Sequence, residues 1–192
     1  MGTRGFTLIE VTIATALMVV VTMMSFMAVQ SSARSLELVD ARDTTQANVT
    51  NVLGYIVREV ETAAYEGQPP LYDGVEVSDN GREVTFQVPM DDTASTWSKP
   101  ITFRFENEDV NGDGKLNQGE DENGDQVLTR RVVRVQDGEE MPVGGSNDIS
   151  NVEFELDEEN ATLEVTLTAS RPIRNGEHVV KCTMSSRISI LN

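Results

Sequence analysis

Phe6–Val29 reads FTLIEVTIATALMVVVTMMSFMAV, and this stretch decides the architecture. It is about 24 residues, or roughly 36 Å of helix, against a bilayer hydrocarbon core of about 30 Å. Its only charge is Glu10, and Arg4 precedes it. A basic residue on the leading side favours keeping the N-terminus in the cytoplasm, with the remainder outside. A secretory signal peptide has a shorter apolar core followed by a small-residue cleavage site. This run is longer and passes without a break into more helix. A simple membrane anchor accounts for the length but not for Glu10. A carboxylate inside a bilayer costs about 2.5–3.5 kcal/mol on insertion scales, and such a group usually has a partner. No cation lies near it in the membrane segment, so the sequence predicts a partner from another molecule.

Outward from this run the helical pattern continues. Residues 31–65 contain no proline and one glycine, Gly54. Val49, Leu53, Ile56, Val60 and Ala63 recur at spacings of four and three, which places them on one helical face. Gly67 and Pro69-Pro70 are expected to end the helix. Beyond Leu71 the period changes to two. Val75 and Val77, the turn Asp79-Asn80-Gly81, then Val84, Phe86 and Val88 form a hairpin signature. Ile101, Phe103 and Phe105 predict another strand. Arg131, Val133 and Val135 predict the next, ending at Asp137-Gly138. Phe154 and Leu156 lead through an acidic turn to Leu163, Val165 and Leu167, and a last strand is expected from about Val179 to Ile190. Residues 89–100, with Trp97 as a packed anchor, read as a surface loop or a short edge, and residues 136–148 as a flexible loop. The expected class is α+β: a long N-terminal helical spike, its first half transmembrane, packed on one antiparallel β-sheet head.

The start of the chain carries a specific resemblance. Gly5-Phe6-Thr7-Leu8-Ile9-Glu10-Val11 resembles the signal of type IV prepilins and type II secretion pseudopilins. The resemblance implies that a prepilin peptidase cuts after Gly5 and methylates the new N-terminal residue, Phe6. It also implies that Glu10 pairs with the Phe6 amine of a neighbouring subunit, matching a buried anion with a buried cation. The implied divisions are a leader at 1–5, a filament-core half of the helix at 6–30, an amphipathic half at 31–66 and a head at 67–192. Implied partners are other pilin or pseudopilin subunits and an inner-membrane assembly platform. The implied location is an inner membrane with the head in the periplasm of a Gram-negative bacterium, then a periplasmic pseudopilus or an extracellular pilus. One departure is visible: the helix-kinking proline of many major pilins is missing, with no proline before Pro69. With the final strand, loosely like those of minor pseudopilin J and minor pilin W, this points to a minor subunit. The alternatives are a major pilin and a membrane-tethered calcium-binding adhesin head.

Within the head, Asp109-Val110-Asn111-Gly112-Asp113-Gly114-Lys115-Leu116-Asn117-Gln118-Gly119-Glu120 resembles an EF-hand calcium loop. Oxygen side chains stand at the first, third and fifth positions (Asp109, Asn111, Asp113), and glycine at the sixth (Gly114). Lys115 offers its backbone carbonyl, Asn117 binds directly or through water, and Glu120 closes the loop. The competing reading is a solvated acidic loop. Phe103-Arg104-Phe105 before it reads as strand, so the loop lacks two flanking helices and is expected to act as a structural clamp. Asp121, Asn123 and Asp125 form a degenerate second cluster that either completes the site or remains solvated.

The formal charge of −17 disfavours nucleic-acid binding, because phosphates would be repelled. Cys182 is the only cysteine and His178 the only histidine. A disulfide within the chain is therefore excluded, and His178 has no second His or Cys for zinc. His178 reads as an ordinary strand residue and Cys182 as a small buried hydrophobe. No phosphate loop, paired-histidine motif or nucleophile elbow is present, and no catalytic residue is assigned.

Overall fold

The computed structural model describes residues 7–64, 74–88, 90, 96–113, 115–117, 119–121, 124, 126–144, 147–173 and 178–190. One helix, α1, spans Leu8–Ala64. The chain divides into two compact units, Met1–Asp40 and Ala41–Asn192.

In the first unit, α1 is long and apolar enough to cross a membrane. Its large side chains, among them Leu17, Val21, Met24 and Val29, are exposed. Its hydroxyls are satisfied internally. Thr12 donates to the Ile9 carbonyl at 2.9 Å, Thr22 to Met18 at 2.8 Å and Ser25 to Val21 at 2.9 Å. A segment with no water around it needs this closure of its polar groups.

In the second unit, the rest of α1 contributes Val49, Val52, Leu53, Ile56 and Val60 to a buried apolar cluster. Val49, Leu53, Ile56 and Val60 belong to the expected stripe, Val52 joins them, and the side chain of Ala63, the stripe's fifth member, lies outside what is described. The helix stays regular through Gly54, beside which a Cβ would meet nothing. Gly67, Pro69 and Pro70, the expected stop, lie outside the described residues.

The strands are β1 (Glu76–Val77), β2 (Glu83–Phe86), β3 (Ile101–Glu106), β4 (Arg131–Gln136), β5 (Glu139–Val143), β6 (Ile149–Asp157), β7 (Thr162–Ile173) and β8 (His178–Ser189). They form two antiparallel sheets, β1-β2-β3-β4-β5 and β6-β7-β8, where one sheet was expected. Among the described residues an isolated bridge joins them: Arg130 and Ile149 exchange backbone hydrogen bonds of 2.7 and 3.1 Å. After that bridge β6 turns to β7 alone, and the Phe154 amide donates to the Gly81 carbonyl at 2.7 Å. Alternation along one strand specifies which side is buried, not which strand lies beside it, so the break was invisible in the pattern.

The second correction concerns residues 136–148, which are not a loop throughout. Asp137 (φ 59°) and Gly138 (φ 79°) make a tight turn, and Glu139–Val143 pairs with β4. Of β5 only Val143 is buried, so the strand carries no apolar alternation to betray it. β4 also differs in detail, since Val132 and Val133 are buried and Val135 is only half-buried.

Among the described residues, polar links tie α1 to the rest of the head, including the Thr50 hydroxyl, which donates to Met184 Sδ of β8 at 3.5 Å. Arg134 of β4 donates to Glu59 at 2.7 Å. Asn48 donates to Asp148 at 2.7 Å. Tyr55 packs edge-on against Phe103, ring centres 6.1 Å apart.

Candidate functional site

At the helix start, Thr7 and Glu10 close on each other. The Thr7 amide and hydroxyl donate to Glu10 Oε2 at 2.8 and 2.9 Å, and the Glu10 amide donates to Thr7 Oγ1 at 3.3 Å. This is a capping box, in which a Thr and a Glu three residues on satisfy each other's free amides. The Thr-x-x-Glu spacing is visible in the sequence, but the apolar context drew attention to the charge alone. Glu10 therefore has a neutral intrachain partner. Gly5 and Phe6 lie outside the described residues.

The 109–120 loop leaves β3 and returns to β4. Its side-chain oxygens turn inward onto its own backbone. Asp109 Oδ1 accepts from the amides of Gly112 (2.7 Å) and Asp113 (3.1 Å). Asn111 Oδ1 accepts from the Asp113 amide at 2.9 Å, and Asp113 Oδ1 from the Lys115 amide at 2.9 Å. Glu120 folds back so that its Oε2 accepts from the Asn117 amide at 2.8 Å, and it is buried. Gly112 takes φ 75° and Gly119 φ 96°, left-handed values that glycine adopts without a Cβ penalty. Gly114 and Gln118 lie outside the described residues.

Whether this set suits a hard cation turns on Asn117. Its Nδ2 lies 3.2 and 3.1 Å from the two Asp113 carboxylate oxygens and 3.3 Å from the Lys115 carbonyl. One donor thus sits among three oxygens that the EF-hand resemblance assigns as ligands. A half-turn of the amide replaces that donor with Oδ1, giving a further oxygen. Among the described residues, no three His, Cys, Asp or Glu side chains are grouped closely enough to hold an ion. A calcium site here would therefore depend on amide and carbonyl oxygens as well as carboxylates, an all-oxygen set of the kind calcium takes. Asp113, Lys115 and Asn117 are in direct contact. Asp109 and Asn111 join through the Asp113 amide, and Glu120 through the Asn117 amide. In the following cluster, Asp121 accepts from the Gln126 amide at 3.1 Å, while Asn123 and Asp125 lie outside the described residues.

The base of the loop holds charges that the sequence reading did not single out. Glu106 faces Arg131 at 3.0 Å, Arg104 at 3.5 Å and Arg130 at 3.7 Å. Glu108 is 1% exposed and accepts from the Thr129 amide at 3.3 Å. A buried Glu just before an acidic loop looks like one more solvated acid in the sequence.

Elsewhere, Glu76, Asp79, Glu153, Glu155 and Glu158 line an open groove of about 690 Å³ between the β1–β2 turn and β6. His178 opens β8 and is exposed. Cys182 is half-buried against the core rather than fully buried. Trp97 is half-buried too. No protein-family model, curated protein or solved structure matches this chain.

Proposed function

We propose that this protein is a structural subunit of a type IV pilin-like filament, a minor pilin or minor pseudopilin, with a calcium-stabilised head. The observation that carries the reading is α1. One half has the length, polarity and exposed apolar surface of a membrane span, with a single carboxylate in its first turn. The other half supplies the apolar stripe of a β-rich head. A helix apolar on all sides must be covered by lipid or by other helices, and a filament core supplies the second cover once the first is left behind. On this reading prepilin peptidase cuts after Gly5, Phe6 becomes the methylated N-terminus, and the head faces the periplasm until assembly. The 109–120 loop then clamps the head outside the cell, where calcium modules work at about 10⁻⁴–10⁻³ M.

Gly5→Ala tests the processing step. It should leave a full-length precursor, and normal cleavage would refute the prepilin reading. Glu10→Val tests assembly, with membrane insertion expected to persist while incorporation into filaments fails. The capping box favours a second reading, a solitary membrane-tethered head such as a calcium-dependent adhesin. There Glu10 needs only Thr7, so Thr7→Val and Glu10→Val would have equal effects. The filament reading requires Glu10→Val to be far the more damaging.

A further inference from the structure

Each sheet has two edges, and among the described residues three of the four are short, partly taken or interrupted by proline. β1 is two residues long. In β6, the Ile149 backbone is taken by Arg130 and the Phe154 amide by Gly81. In β5 the closure follows from register. The Phe105 amide bonds to the Arg82 carbonyl, so odd residues of β3 face β2 and even ones face β4. Carried through β4, this leaves Glu140 and Pro142 facing outward from β5. Proline has no amide to offer there, a device that blocks edge pairing.

β8 is the exception. The Ile190 amide bonds to the Ala161 carbonyl, and the β7–β8 register continues from that pair without a slip. Even residues of β8 therefore bond to β7. Odd residues, Val179, Lys181, Thr183, Ser185 and Arg187, turn their amides and carbonyls outward. Among the described residues no strand pairs with that side. The solvent face of this edge carries Lys181 and Arg187, the latter also 2.7 Å from Glu164. The opposite face carries Val180, Cys182 and Met184, which are only half-buried.

We propose that the β8 edge is a docking site for an extended, acidic segment of a different protein, added as a further antiparallel strand. Main-chain pairing supplies affinity and alternate side chains supply selectivity. Carboxylates on one face of the incoming strand would stand beside Lys181 and Arg187. Apolar side chains on its other face would cover Val180, Cys182 and Met184. A second copy is a poor occupant: two antiparallel β8 edges with these outward residues paired bring Lys181 and Arg187 of both copies onto one face, and the other edges of a copy are short, partly taken or interrupted by proline. The proposal stands on the head alone and is independent of the filament reading.

The test uses the full chain in neutral detergent micelles and a labelled short peptide alternating valine with glutamate. Its counterpart with lysine at each glutamate is the control. The acidic peptide should bind by fluorescence anisotropy and slow amide exchange at Val179, Lys181, Thr183, Ser185 and Arg187. Lys181→Glu should weaken it about tenfold, as expected for one close charge pair. Thr183→Pro removes an outward amide but no backbone bond to β7, so it should abolish binding in a folded chain. Should that variant fail to fold, Lys181→Glu decides alone. Absence of binding, equal affinity for the lysine peptide, or protection confined to other amides would each overturn the proposal. Concentration-dependent protection of these same amides without peptide would also overturn it, in favour of a second copy.

Discussion

At Gly144 the chain leaves β5 with φ 80°, and a Cβ there would sit 2.7 Å from Val52 Cγ2. Val52 is buried and branched, so it cannot swing aside. Gly144→Ala should cost about 1–3 kcal/mol through strain and overpacking together, read as a lowered denaturation midpoint. That constraint was not visible beforehand: Gly144-Gly145 in a polar stretch reads as a turn, whereas the limit here is contact with α1. Asp157 shows a different dependence on one residue. The Asn160 side chain, at 2.7 Å, and its backbone amide, at 3.1 Å, hold its carboxyl below the ordinary 3.8. A carboxyl lowered in the folded state contributes stability above its unfolded pKa and loses it as the pH falls through the folded one. Asp157→Ala should therefore lower the melting temperature at pH 7, and the gap from wild type should narrow as the pH falls through the carboxyl's lowered folded pKa. A gap independent of pH would show that the carboxylate plays no part.

α1 passes from one environment to another within a single element. Its apolar residues are exposed on all sides before Asp40 and confined to a stripe after it. Ile56 is fully buried in that stripe. Ile56→Ala should destabilise the head by about 2–5 kcal/mol while leaving membrane insertion intact, because the span lies outside the cavity it creates. Helix and strand positions were largely legible, since periods of 3.6 and 2 are local consequences of where each Cβ points. β5 was not, because its residues are almost wholly exposed and its existence depends on pairing with β4. Pro142 in its outward register suggests a converse experiment. Pro142→Thr should give that edge an amide donor and promote concentration-dependent association, measurable by light scattering.

For the molecule as a whole, a charge of −17 is concentrated beyond the membrane helix, and a bound cation would relieve part of the repulsion in the 109–120 loop. Calcium should raise the melting temperature of the wild-type chain in micelles, and chelation should reverse the gain. The Asp113→Ala, Glu120→Ala chain should not respond, and a wild-type chain indifferent to calcium would remove the clamp. The candidate ligands were readable because loop chemistry is written in residue type and spacing over twelve or so consecutive positions. The buried Glu108 and the arginines around Glu106 were not, since burial and cross-strand proximity arise only after β3 and β4 pair. The sequence by itself determined the apolar span with its one carboxylate, the amphipathic stripe, most strands and the oxygen-rich loop, because each is a local pattern. Only the tertiary structure decided that the head has two sheets and that, among the described residues, the outer edge of β8 has no partner strand. Those depend on which backbone groups and side chains meet across space, and one-dimensional periodicity does not encode the neighbour.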